Sequence, residues 1–164
     1  MATADYFLKL EGVKGESQDE KHKDEIDILS FSWGASQAGA GHYGGGSGAG
    51  KVQFQDLHVT MRVNSASPTL YLKCAEGKHI PKGKLTIRKA GGKQEPYLTY
   101  ELEDILISSI NSSGHDGGGA EIVPTEQVLL NFSKIKMVYK PQTREGGLGG
   151  PIEFGWDIKK GVKA

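Results

Sequence analysis

Two half-motifs for phosphate binding overlap in one stretch, QAGAGHYGGGSGAGKVQF at 37–54. Gly39-x-Gly41-x-x-Gly44 has the spacing of a dinucleotide fingerprint, whose last glycine opens a helix that faces the pyrophosphate. Gly45-x-x-x-x-Gly50-Lys51 has the spacing of a P-loop as far as its lysine. Neither has the context that makes the chemistry work. A P-loop needs Ser or Thr after the lysine to hold Mg²⁺ and a helix behind it, but position 52 is Val. The residues that follow, VQFQDLHVT, alternate as a strand does. The segment reads instead as a long arm between two strands, Ala38 to Gly50. Connections of this length are seldom passive, and glycine lets backbone lie close against another surface. Gly39, Gly41, Tyr43, Gly44, Gly45, Gly46, Gly48 and Gly50 are the candidate contact residues of this arm, with Gly146–Gly150 a weaker candidate.

The other reactive side chains form no constellation. His22, His42, His58, His79 and His115 match no metal-ligand spacing. Cys74 shares a predicted helix face with Leu70, so a buried, inert thiol is expected. Glu101, Glu103 and Asp104 form an acidic cluster of the kind that does acid/base work, but Glu101 and Glu103 read as solvent-facing positions on one side of a strand. Lys84, Arg88, Lys89 and Lys93 lack interleaved aromatics, so a salt-bridging face is expected rather than a nucleic-acid platform. The sequence carries no G-x-S-x-G elbow. No cofactor, metal or catalytic residue is expected, and the chain does not read as an enzyme.

The 20 basic and 20 acidic residues cancel, which removes the field that draws a protein to polyanions. A single cysteine excludes an internal disulfide framework. MATADYFLKLEG has no basic and then apolar character, and no apolar run approaches 18 residues. A signal peptide and membrane insertion are therefore not expected.

The elements that must position these residues are mostly strands. Period-two patterns are read at 5–12, 25–37, 51–63, 84–90, 96–111, 126–141 and 152–159. In 25–37, Leu29, Phe31 and Trp33 share one face, and Ser30 and Ser32 share the other. Parity shifts predict irregularities near Gln55–Asp56 and Glu103–Asp104. One helix is expected over 68–76, with Ser67 as N-cap, Pro68 at the first position and Gly77 as the stop. About seven strands and one helix in a single domain, 1–164, predict a mainly β fold: a β-barrel-like two-sheet domain with a flanking helix and a long glycine-rich loop.

Several stretches in order carry a family resemblance: YFLKLEGVKGES (6–17), EIDILSFSWGASQ (25–37), GGGSGAGKVQFQDL (44–57), SPTLYLKCAEGKH (67–79), KLTIRKAGG (84–92), LISS (106–109) and YKPQ…GG…WDI (139–158). Together they resemble Hcp, the haemolysin-coregulated proteins of bacterial type VI secretion, over essentially the whole chain. The resemblance implies a homohexameric ring that stacks into the inner tube of a contractile injector. It also implies small secreted effectors in the ring lumen, with sheath proteins and a VgrG-type spike protein as partners. Localisation would be cytoplasmic and then secreted through the apparatus. The chain stops soon after Trp156, so it resembles the plain tube subunit rather than toxin-fused forms. In a ring, Ser30 and Ser32 are the candidate lumen residues, because they lie opposite the apolar face of their strand. The alternative is a monomeric β-barrel binding a small ligand inside; its inward positions are Phe, Trp, Leu, Ile and Val, which fill a small barrel rather than hollow it.

Overall fold

The computed structural model describes residues 4–37, 51–90, 94–116 and 123–164. Along the chain run β1 (Ala4–Leu10), β2 (Ile26–Ile28), β3 (Ser30–Ser32), β4 (Ala35–Gln37), β5 (Val52–Phe54) and β6 (Leu57–Arg62). Then come α1 (Ser67–Glu76), β7 (Ile80–Lys89), β8 (Pro96–Ser113), β9 (Thr125–Asn131), β10 (Lys134–Tyr139), β11 (Ile152–Asp157) and β12 (Val162–Lys163). One sheet, A, has the order β12-β11-β10-β8-β7-β1-β2; the other, B, has the order β3-β6-β9-β8. β4 and β5 form a separate two-stranded ribbon. The domain is barrel-like, with two sheets sharing β8, and is not a closed barrel.

β8 passes from one sheet to the other. Its first half pairs with β7 and β10, and its second half with β9. The bend between them falls at Asp104, which has φ 55, a left-handed conformation that Asp tolerates better than most residues. The partner chain bends at the same level. β9 and β10 are separated only by Phe132–Ser133, and Lys134↔Glu103 and Leu106↔Asn131 keep one register across the gap. Ser133 N–H donates to the Glu103 carbonyl (3.1 Å), and Ser133 Oγ donates to Asp104 Oδ2 (2.6 Å). Strands that bend from one sheet into another are how sandwich corners are made.

Between the sheets, alternate residues pack into one core. Leu8, Leu10, Leu85, Ile87, Leu102 and Ile135 come from sheet A; Leu57, Val59, Met61, Ile107, Val128 and Leu130 come from sheet B. α1 closes one end with Leu70 fully buried; Cys74, on the same face and expected to be buried, is only half-buried against the core. Gly77 ends the helix at φ 63, ψ 26, and its N–H reaches the Cys74 carbonyl.

Four sequence expectations are corrected. Segment 25–37 is three strands, because the chain turns a corner at Leu29, which is exposed while Ile28 before it is buried. Leu29 therefore does not share the environment of Phe31 and Trp33, which pack partly buried against the core. The parity shift at Gln55–Asp56 is a full break: β5 pairs with β4, and β6 with β3 and β9. Segment 126–141 is split by the corner at Phe132–Ser133. Ser67 is the first helical residue, not the cap, which is Ala66 with no side-chain cap bond. The Ser67 hydroxyl instead accepts from Asn64 N–H (3.0 Å) and donates to the buried carboxylate of Glu126.

Candidate functional site

Cross-strand pairing extends the Ser30/Ser32 face over all of sheet B. Ser30 pairs with Thr60, Thr60 with Gln127, and Gln127 with Asn111. One row along, Ser32 pairs with His58, His58 with Leu129, and Leu129 with Ser109. Directly paired residues project to the same side, and the alternate rows, such as Val59–Val128–Ile110, point into the core. Ser30, Ser32, Gln127 and Asn111 are exposed; His58, Thr60, Leu129 and Ser109 are half-buried. These two rows bear hydroxyls, amides, one imidazole and one leucine, with no carboxylate, lysine or arginine. Arg62 lies at the end of the face, level with Thr125 and Ser113.

The outer side of sheet A has the opposite chemistry. Lys84 lies 4.0 Å from Glu101, Lys134 lies 3.7 Å from Glu103, and Lys136 lies 3.5 Å from Glu153. Lys9, Lys82 and Glu11 complete a surface cleft of about 440 Å³ with the first two of these carboxylates. Its charges are interleaved, so it offers no field of one sign to a ligand. Exposed pairs of this kind contribute little stability; of the residues expected to form a salt-bridging face, Lys84 lies here, Arg88 is instead buried, and Lys93 lies outside the described residues.

Two polar nodes hold loops on this frame. Arg88 is buried, donates to Asp5 and Asp19, and lies 4.8 Å above the Phe7 ring. Phe7 stacks in turn on His22, whose Nδ1 is 3.0 Å from Glu25. The hydrogen bonding of Arg88 onto Asp19 holds the Asp19 carboxyl below its usual range and raises Arg88. The second node is Asp104, which accepts from Lys159 Nζ (2.8 Å) and Ser133 Oγ (2.6 Å) and lies 2.6 Å from His79 Nδ1. The Lys159 bond first, then those of Ser133 and His79, hold its carboxyl well below the usual carboxylate range. Both nodes tie segments together. Among the described residues, no group of three or more His, Cys, Asp or Glu could hold a metal ion. No helix among them is long and apolar enough to cross a membrane.

The arm residues Gly39, Gly41, Tyr43, Gly44, Gly45, Gly46, Gly48 and Gly50 lie in 38–50, outside the described residues. The root of the arm is described. Trp33 stacks parallel on Phe54 at 5.7 Å, its indole N–H donates to the Gln55 carbonyl (2.9 Å), and Phe54 touches Phe154 and Trp156. The second glycine loop is a closed turn, not an arm. Gly149 N–H bonds the Pro141 carbonyl (2.7 Å), Thr143 N–H bonds the Gly147 carbonyl (2.9 Å), and Gly146 takes φ 85. Alternation within one strand picks out Ser30 and Ser32; Thr60, Gln127, Asn111 and Ser109 join the same face only through the pairing of strands. The signal within reach was the polar parity of His58 and Thr60 in their own strand; the neighbours come only with the register.

Comparison with known proteins agrees with this architecture. The family model described as "Type VI secretion system effector, Hcp" matches residues 7–139. Protein hcp1 of Pseudomonas aeruginosa strain PAO1 is 48% identical over 162 residues, 98% of either chain. The crystal structure of Hcp1 from Salmonella typhimurium is similar at 35% identity and TM-score 0.79, covering 99% of this chain and 100% of that one. A structure described as a type six secretion system protein superposes more closely, with TM-score 0.90 at 31% identity and the same coverage. With a family match over most of its length, a near full-length relative and the same two-sheet fold, the chain belongs to the Hcp family of type VI secretion system proteins.

Proposed function

We propose that the chain is a structural subunit of the type VI secretion inner tube. It assembles into hexameric rings that stack, is expelled with the tube, and holds small effector proteins in the ring lumen. Its action is assembly and mechanical ejection, without covalent chemistry. The observation that carries the reading is the face of sheet B around Ser30 and Ser32, uncharged over its two central rows between Arg62 and Asp56 and bounded by strand edges. Among the described residues, β3 pairs only with β6, and the second half of β8 only with β9. Free edges invite another chain, and a head-to-tail contact closes into a ring when its rotation allows. Copies joined edge to edge through sheet B would turn this face inward, where hydroxyls and amides offer adaptable hydrogen bonds to a cargo. The glycine arm 38–50 serves as a contact between subunits or rings. Sheath proteins and a VgrG-type spike protein are the further partners, and the route is from the cytoplasm through the apparatus.

Light scattering across micromolar concentrations, together with negative-stain imaging, tests this reading. Six-copy annular particles are expected. A chain that stays monomeric and shows no rings overturns it.

A further inference from the structure

One corner of sheet A is covered on the side that faces away from the core. Leu8 and Leu85 are paired and point into the core, so the next pair along, Phe7 and Thr86, points outward. Yet Phe7 is 5% exposed, Thr86 4% and Arg88 3%. The connection from β1 to β2, residues 11–25, lies over them. His22 stacks on Phe7 at 4.4 Å with the two rings 7° apart. Asp19 accepts from both terminal nitrogens of Arg88 (3.1 Å for Nη1), and Asp5 accepts from Nε (3.3 Å).

This connection has little apolar material of its own to hold it down. Nine of its fifteen residues are charged, and Val13 is its only large apolar side chain. A segment of that composition does not order by itself. It contains no helix, and its one bridge to a strand is Val13 with Leu10. Its own backbone bonds make a short ribbon: Gly15 N–H to the Asp24 carbonyl (2.7 Å), Ser17 N–H to the Glu25 carbonyl (2.9 Å) and Asp24 N–H to the Ser17 carbonyl (3.0 Å). Its two ends are fixed without it, because Leu8 pairs with Ile26 and both are buried in the core. The segment can therefore lift away without breaking the β1–β2 ladder. What has to break is its hold on Arg88 and the Glu16 carboxylate's bond from Ser65 N–H (2.8 Å). A buried ion pair is a weak fastening, since both ions regain water when it opens. A loop held by charge instead of apolar area belongs to the low-stability end of a fold.

We propose that residues 11–25 form a strap that opens as a unit while both sheets stay folded, with the Arg88–Asp19 pair as its latch. Shut, the strap covers Phe7 and the guanidinium. Open, it bares both and turns Lys21 and Lys23 into accessible cleavage sites. The strap is a property of the single chain and does not depend on the ring reading.

Hydrogen exchange read by mass spectrometry on the full-length chain tests this, at one pH and one measured particle mass. In the parent, the strap fragment 14–24 carries the bonded amides of Gly15, Ser17 and Asp24. It should exchange well before 98–107 in β8, with little dependence on low urea, because a local opening bares little surface. Asp19→Asn keeps the size of the side chain and removes its charge. It should speed exchange in 14–24, and tryptic cleavage after Lys21 and Lys23, by about ten-fold or more. The nicked chain should keep its β-sheet circular dichroism. Glu20→Gln, at an exposed position of the same strap, should change neither rate. Exchange in 14–24 that tracks 98–107 across the urea series would mean that the segment opens only with the whole domain, and overturns the proposal. A folded Asp19→Asn chain whose strap exchanges as the parent's does overturns it too, since the pair is then no latch. If Asp19→Asn does not fold, the parent's urea series alone decides.

Discussion

Asp104 combines three roles in one residue: a left-handed backbone at the corner of β8, a carboxylate that gathers Lys159, Ser133 and His79, and a pKa well below the usual carboxylate value. Asp19 is depressed likewise by Arg88. A carboxyl with a lowered native pKa contributes stability that is complete above its unfolded pKa of about 4 and is lost as pH falls through the native value. Asp104→Asn keeps a residue that tolerates left-handed backbone and removes the charge. It should lower the melting temperature at neutral pH and make the fall below about pH 4 shallower, so that variant and parent converge in acid. Asp104→Ala should be less stable than Asp104→Asn at every pH, because it loses the backbone tolerance as well. Parallel curves for parent and Asp104→Asn would show that the carboxylate contributes nothing. Glu126 is the other decisive carboxylate. It is buried and receives the hydroxyls of Ser67 and Ser112 (2.6 Å for Ser112). Glu126→Ala leaves those donors without their acceptor and should cost about 1–3 kcal/mol in denaturant unfolding. The sequence marks Ser67 as a helix cap because caps are usually Ser, but a buried acceptor 59 residues away captures its hydroxyl. That partner belongs to the tertiary fold, and no local pattern announces it. Asp104 was nearer to legible: the parity shift beside it predicts an irregularity, and the left-handed corner is its form.

At the scale of elements, period-two patterns locate nearly every strand, and α1 falls within one residue of its expected start. The patterns do not distinguish a straight strand from one that turns a corner. In 25–37 and 126–141 each half alternates by itself and the inward parity switches at the bend, from Ile26 and Ile28 to Phe31 and Trp33 and from Val128 and Leu130 to Ile135. The register continues across Phe132–Ser133, so a single long pattern was the sequence's correct account of the ladder and an incomplete account of its shape. β7 carries a further constraint that composition hides. A Cβ at Gly83 would lie 2.7 Å from Ile105 Cδ1 and 2.8 Å from Leu10 Cδ2. Gly83 sits between Leu10 and Leu102 in the ladder, where β1 and β8 close on the core. Gly83→Val should therefore overpack this point and cost about 1–3 kcal/mol, measured by chemical denaturation of the monomer. A neutral Gly83→Val would mean that Ile105 and Leu10 can move aside.

The whole molecule segregates its surface chemistry. Sheet A faces outward with interleaved lysines and glutamates, sheet B with hydroxyls and amides between Arg62 and Asp56, and the exposed apolar side chains include Ile152 and Phe154 on β11 and Tyr71 and Leu72 on α1. A balanced net charge in the sequence conceals this division, since composition averages the two faces together. The serines were legible from alternation alone; the breadth of their face required the pairing of four strands. In the ring reading, Ser32→Gln places a longer side chain beside His58 on the lumen face and adds no charge. It should leave ring mass unchanged and weaken retention of a co-expressed effector, read as the effector-to-ring ratio after gel filtration. Intact rings with an unchanged ratio would remove Ser32 from the cargo face. The root of the glycine arm has a different consequence. The chain has two tryptophans, Trp33 and Trp156, and both lie against Phe54, one stacked at 5.7 Å and one at 6.2 Å. Both indoles of the protein thus lie against one side chain of β5, so in the ring reading a change in native tryptophan emission on assembly would report on the β4–β5 ribbon in an unlabelled protein.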